Sequence, residues 1–238
     1  RDRSCPPADA VAPLAAPVTD NHTHLPVAAD AGGPGSEAPL SAAELVERAA
    51  AVGVTRVVTS ACEVTTWQES LALARQLPGV RVALAVHPNE AVLHAVVRET
   101  GADGVRLEET LRANADVVVA VGESGLDFFR TGEKGAVAQR EAFRAHIALA
   151  KDLDLPLQIH DRDAHAACVE VLEADGAPAR TVFHCFSGGP QLAAACAEHG
   201  WYASIAGPLT YLAEQRGLSE EDLCRRLQAT AETVYGTW

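Results

Sequence analysis

Five residues of this 238-residue chain share a metal-binding chemistry and a position: each stands where a strand-like run closes. They are His22 and His24 in V-T-D-N-H-T-H, Glu123 in V-V-V-A-V-G-E, His160 in P-L-Q-I-H and His184 in T-V-F-H. Residues two apart on a strand point to one face, so His22 and His24 can hold one ion together. Glu123 closes an apolar strand, where a carboxylate is costly to bury without a partner; two cations sharing it would supply one. His160 and His184 close consecutive strands. Metals take neutral imidazole whose other ring N–H is held by an acceptor. Asp161 and Asp163 are candidates for that support, and Asp127 for orienting a ligand or lining the site. A lone imidazole is more often a core or surface histidine. Four imidazoles and a carboxylate from four strand ends point to a metal centre.

Other residues are weighed for substrate. His87 in A-V-H-P-N-E ends the third strand and is assigned to substrate or leaving group, although a structural role explains it nearly as well. Arg162 and Arg130 are the cations nearest these strand ends. Either could grip a phosphate by bidentate hydrogen bonds, with Arg162 preferred over a plain surface ion pair. His94, His146, His165 and His199 fall on predicted helices and read as non-functional. Cys185 is expected to point to the opposite side of the sheet from His184 and to pack there.

Strands and helices alternate along the chain, the pattern of parallel α/β architecture. Strands are predicted over 18–24, 56–60, 80–86, 117–122, 156–160, 181–186 and 202–206. Helices are predicted over 66–76, 90–100, 104–113, 136–153, 164–174, 190–199 and 219–229. One more helix opens at Ser41, with Glu44 three residues on as in a capping box. It follows a Gly/Pro-rich stretch, A-D-A-G-G-P-G-S-E-A-P-L, read as a mobile loop. The runs V-V-V-A-V and R-V-A-L-A-V are apolar without alternation, as strands covered on both faces are. A (β/α)8 barrel (TIM barrel) gathers the C-terminal ends of its strands on one face, and that face carries the chemistry. The expected fold is such a barrel with its eighth strand missing from the sequence. Residues 1–17 form an N-terminal extension and 18–238 a single barrel domain.

Composition narrows the partners. Hydrophobic residues make up 48% and charged residues 21%, those of an ordinary globular protein. No apolar run reaches the ~18 residues of a membrane span, and no secretory signal is visible in R-D-R-S-C-P-P-A-D-A. Six dispersed cysteines without C-x-x-C fit reduced thiols and a cytoplasmic location. Methionine is absent and the first residue is Arg, so the protein's true start is expected to lie outside this sequence. The net charge of −13 argues against a broad basic surface for nucleic acid, though not against a local grip on a strand end through metal ions. No membrane contact and no obligate protein partner are indicated.

Together the stretches D-N-H-T-H-L, A-V-H-P-N-E-A, V-G-E-S-G-L-D-F-F, L-P-L-Q-I-H-D-R-D-A, F-H-C-F-S-G, I-A-G-P-L-T-Y and A-E-T-V-Y-G resemble the TatD family of metal-dependent deoxyribonucleases within the amidohydrolase superfamily. The resemblance implies a TIM barrel with two divalent ions and phosphodiester hydrolysis, typically from the 3′ end of single-stranded DNA, with RNA as the second option. It maps His22 and His24 to one ion, His160 and His184 to the other, and Glu123 as the catalytic bridge between them. Mg²⁺ suits phosphate chemistry; the imidazole-rich set suits Zn²⁺, Mn²⁺ or Ni²⁺ equally. One departure stands out. The family pattern continues after G-P-L-T-Y to an eighth strand ending E-T-D-x-P-Y-L, whose Asp completes the first metal site. Here Tyr211 runs straight into L-A-E-Q-R-G-L. A barrel one strand short leaves two unpaired edges, so a break in the chain between Tyr211 and Leu212 is expected. The alternatives are another metal-dependent hydrolase of the superfamily, acting on an amide, lactone or phosphate ester, or a non-catalytic metal-binding protein if the deletion is real.

Overall fold

The computed structural model describes residues 12–27, 40–93, 106–207 and 209–238. Seven parallel strands run in sequence order: β1 (Val18–Thr23), β2 (Val54–Ala61), β3 (Val80–Leu84), β4 (Val118–Asp127), β5 (Leu157–Arg162), β6 (Thr181–Phe183) and β7 (Tyr202–Ala203). Each pairs with the next, and helices cover the outside: α1 (Ala42–Ala51), α2 (Trp67–Gln76), α3 (Pro88–Ala91), α4 (Leu107–Ala113), α5 (Phe128–Asp152), α6 (His165–Asp175) and α7 (Pro190–His199). Two more helices follow, α8 (Leu209–Arg216) and α9 (Glu220–Tyr235). Among the described residues there is no eighth strand, so β1 and β7 remain the two edges of a curled, seven-stranded half-barrel.

The core has two layers. The larger lies between sheet and helices, around Trp67, Leu71, Leu84, Phe143, Ile147 and Phe183. The smaller lies inside the curl, where Val58, Ala83, Ala120 and Val182 meet Val234 and Tyr235 of α9. These inward residues of β2, β3, β4 and β6 are small, and the end of α9 fills the space they leave. The capping box at the start of α1 is formed, with Glu44 N–H donating to the Ser41 hydroxyl and Ser41 N–H to the Glu44 carboxylate.

Several boundaries move. β4 continues to Asp127, so Glu123 lies inside a strand instead of ending it. The ladder with β5 persists through Ser124↔Ile159, Gly125↔His160 and Asp127↔Arg162; backbone pairing does not stop where polar side chains begin. β6 ends at Phe183 and β1 at Thr23, leaving His184 and His24 just past their strands. β7 is two residues long. The helix expected over 136–153 starts already at Phe128 and kinks at Gly132, and α9 runs to Tyr235 instead of stopping near residue 229. Tyr211 and Leu212, between which a break is expected, both fall in α8. The Leu-Ala-Glu-Gln-Arg that follows Tyr211 consists of good helix formers and extends the helix. The Gly/Pro-rich stretch, most of the N-terminal extension, His94 and the greater part of the helix expected over 90–100 lie outside the described residues.

Candidate metal centre

Glu123 sits on β4 with only 4% of its surface exposed, under a ring of imidazoles. His184 Nε2 lies 2.5 Å and His160 Nδ1 2.8 Å from Oε1. His22 Nε2 lies 3.8 Å from Oε1, and His24 Nε2 3.8 Å from Oε2. The His22 and His184 rings stack 3.9 Å apart. The four imidazoles and the carboxylate singled out in the sequence are therefore brought together. Burial would by itself raise the Glu123 pKa; the close approach of His160 and His184 outweighs it and holds the carboxyl well below the usual range. Close approach of β4 and β5 makes this possible: at Gly125, φ +118°, an added Cβ would meet the His160 carbonyl oxygen at 2.2 Å.

The second nitrogen of each ring tells what the first can do. His24 Nδ1 lies 3.2 Å from the Ser60 carbonyl, which can only accept, so Nδ1 carries a proton and Nε2 is the nitrogen turned to Glu123. His22 Nδ1 faces Gln158 Oε1 at 3.3 Å and Ser60 Oγ at 3.1 Å. Burial lowers the His22 pKa to about 4, so the ring is neutral near pH 7. His160 stands between two carboxylates, with Nδ1 on Glu123 and Nε2 3.3 Å from Asp127 Oδ2. A neutral imidazole cannot donate at both nitrogens. Nδ1 is at hydrogen-bond distance from Glu123 Oε1, 2.8 Å, while Nε2 is buried beside Asp127 without making a hydrogen bond. Asp127 is in turn held by Asn89 Nδ2 at 3.0 Å and by the Arg130 N–H at 2.9 Å. His184 is buried, its Nδ1 without a hydrogen-bond partner and its Nε2 beside Glu123 Oε1, off hydrogen-bond geometry. Converging imidazoles, one buried carboxylate and orphaned ring nitrogens fit divalent cations.

His87 is different. Its ligand atom lies within 4.8 Å of those of Glu123 and His160, but its Nδ1 accepts the Asn89 N–H at 3.1 Å. The neutral ring therefore carries its proton on Nε2, which faces His160 Nδ1 at 3.4 Å and Glu123 Oε2 at 3.9 Å. Burial lowers its pKa to about 4.

Some expectations fail. Asp161 does not support His160 or His184; its Oδ2 lies 2.6 Å from His165 Nδ1, and Asp127 takes the supporting place. Asp163 sits in a left-handed turn, φ 57°, just past β5. Cys185 is exposed at φ 46°, because the strand has ended two residues earlier and its two-residue alternation no longer applies. Three further residues contribute that the sequence motifs do not mark. Cys62 donates to Glu123 Oε2 at 3.3 Å from just past β2, a position the strand-end rule already pointed to. Burial and the neighbouring Glu123 push its thiol pKa well up. Gln158, two residues before His160 on β5, and Ser60 at the end of β2 share the inward face by simple alternation.

Arg162 leaves the end of β5 with its guanidinium 4.1 Å from the ring centre of Phe129, which is 62% exposed. His146 is on α5 behind the site, 2.7 Å from Ser124 Oγ, and burial lowers its pKa to about 3. An unfolded chain binds this proton near pH 6.5 and the folded one does not. Between pH 6.5 and 3 the unfolded state thus holds more protons, and stability is lost as pH falls, by at most about 1.4 kcal/mol per pH unit from this group. Urea unfolding of the metal-free protein at pH 7 and pH 5 is expected to show a smaller acid loss in His146→Leu than in the wild type.

Residues 19–235 match the family described as TatD related DNase. The chain is 36% identical over 198 residues to a protein of Mycobacterium tuberculosis H37Rv named uncharacterized metal-dependent hydrolase TatD, covering 82% of this chain and 70% of that one. It is 32% identical over 182 residues to the 3′-5′ ssDNA/RNA exonuclease TatD of Salmonella typhimurium LT2, covering 76% of this chain and 66% of that relative. The crystal structure of the TatD homologue YJJV from Escherichia coli K12 superposes with a TM-score of 0.76 at 24% identity, over 93% of this chain and 98% of that one. That likeness is one of fold.

Proposed function

The chain belongs to the TatD related DNase family, and from that premise we propose that it hydrolyses phosphodiester bonds, removing nucleotides from the 3′ ends of single-stranded DNA and, second, RNA. The observation that carries the proposal is the ring of four imidazoles around one buried carboxylate, with the far nitrogens of His24, His22 and His160 facing Ser60, Gln158 and Asp127. His22, His24 and Glu123 would hold one cation; Glu123, His160 and His184 the other. Divalent cations there would lend Lewis acidity to the phosphoryl oxygen, the attacking water and the leaving oxygen.

The protein's own groups do the rest. Glu123 ties the two sites together, with the Cys62 thiol fixing its Oε2. Asp127 orients His160. The His87 Nε2–H is placed to donate to a phosphate oxygen, since Asn89 occupies its other nitrogen. Arg162 supplies positive charge at the mouth, and exposed Phe129 beneath it offers a face on which a terminal base can stack. A net charge of −13 confines the grip on nucleic acid to this mouth, which fits a strand end better than a long strand. The proposed setting is the cytoplasm, because Cys62, Cys168, Cys185, Cys196 and Cys224 are all free thiols.

The test is the purified protein with Mg²⁺ or Mn²⁺ on end-labelled single-stranded DNA and RNA, run beside amides, lactones and small phosphate esters. Stepwise shortening from the 3′ end is expected. Turnover of an amide or lactone with no shortening would overturn the proposal. Arg162→Ala is expected to raise KM for a short oligonucleotide about tenfold, the loss of one charge-assisted contact, while metal stoichiometry stays unchanged. An unaltered KM removes Arg162 from the substrate contacts.

A further inference from the structure

The C-terminal helix reaches the metal centre from behind. Tyr235, the last residue of α9, is buried inside the curled sheet against Val58, Ala83, Ala120 and Val182. Its hydroxyl lies 3.0 Å from Gln158 Nε2 and 3.3 Å from Asn21 Nδ2. Gln158 is fully buried, and its Nε2 also lies 2.6 Å from the Asn21 carbonyl oxygen. Gly122 makes room for it, since a Cβ there would fall 2.6 Å from the Gln158 Cβ.

These contacts allow one arrangement. The Asn21 carbonyl can only accept, so the Gln158 atom facing it must be the amide NH₂. The NH₂ then donates its second hydrogen to the Tyr235 hydroxyl. With both hydrogens committed, Oε1 points the other way, to His22 Nδ1 and to the Ser60 hydroxyl. With the Ser60 hydroxyl donating to Oε1, the Ser60 oxygen and Oε1 both face His22 Nδ1 as acceptors, at 3.1 Å and 3.3 Å, which places the His22 proton on Nδ1. Its lone pair is on Nε2, the nitrogen facing Glu123.

We infer that Gln158 and Tyr235 are positioning residues for the first cation: the end of α9 fixes the tautomer of His22 through the Gln158 amide. Tyr235 does so from the gap that a closing strand would occupy, between the unpaired edges β1 and β7. The inference rests on the proposed reading of His22 as a ligand. The hydroxyl matters separately from the ring. The ring fills the interior among apolar side chains, whereas only the oxygen accepts from Gln158 and Asn21.

Three variants separate these roles: Tyr235→Phe, which keeps the ring, Gln158→Met, which keeps the volume, and His22→Ala. Each is read by Co²⁺ titration of the metal-free protein and, for the first two, by the ¹⁵N shifts of the His22 ring. The wild type is expected to show His22 protonated on Nδ1. Gln158→Met should mix the tautomers and weaken binding of one of two Co²⁺ ions by about 10-fold or more, in the range for residues that orient a metal-bound histidine. Tyr235→Phe should act in the same direction and less. If His22→Ala loses one Co²⁺ site while the other two variants keep the Nδ1–H tautomer and wild-type affinity, the inference falls and the ligand reading survives. If His22→Ala binds both ions as the wild type does, the ligand reading itself falls. A lower melting temperature in Tyr235→Phe with an unchanged tautomer and affinity marks a packing role and also overturns the inference.

Discussion

Replacing Glu123 by alanine is expected to abolish hydrolysis while the protein stays folded. Both proposed cation sites depend on this carboxylate, whose two oxygens face His22, His160 and His184 on one side and His24 on the other. Losing it removes several kcal/mol of transition-state stabilisation, about a thousandfold or more in kcat. The fold should survive, because the core between sheet and helices is built from residues such as Trp67, Phe143 and Phe183, to which Glu123 contributes nothing. Circular dichroism and the thermal midpoint of Glu123→Ala should stay close to wild type. Glu123→Gln keeps the shape and loses the charge, and should be nearly as inactive. Activity within tenfold of wild type at saturating metal would remove Glu123 from the centre of the mechanism.

Stripping the protein of metal is expected to have an effect of the same size. After chelation and dialysis no shortening of single-stranded DNA should be detectable, and adding back Mg²⁺, Mn²⁺ or Zn²⁺ should restore it. Stoichiometry carries the sharper test. Two ions per chain are expected in the wild type and one in His160→Ala, since His160 serves only the second site. His22→Ala should likewise retain one, and the double variant none. The sites share Glu123, so their affinities should couple: loss of one ion leaves Glu123 less neutralised and tightens the ion that remains. Wild-type stoichiometry in the double variant would refute the assignment of ligands, whatever the activity.

The sequence by itself determined which side chains meet. Apolar runs without alternation marked strands buried on both faces, and parallel strands linked by helices deliver residues near their C-terminal ends to one rim. Local rules therefore sufficed to pick out His22, His24, Glu123, His160 and His184, and also the capping box of Ser41 and Glu44. What local rules could not reach were the contacts that give each ring its role. Asp127 rather than Asp161 supports His160, although Asp161 is its neighbour in sequence. The reason is register: β4 stays paired with β5 through Asp127↔Arg162, which sets the Asp127 carboxylate beside His160 and turns Asp161 toward His165 on α6. Cys62 meets Glu123 across 61 residues, and Tyr235 meets Gln158 across 77. Such distances close only once the sheet has curled. The seam is the clearest case. The sequence showed seven strands where a closed barrel needs eight. Only the tertiary structure showed the end of α9 filling the interior. Small inward residues at Ala83 and Ala120 leave a volume that a tyrosine ring fills, and its hydroxyl satisfies a buried amide that nothing in the local sequence announces.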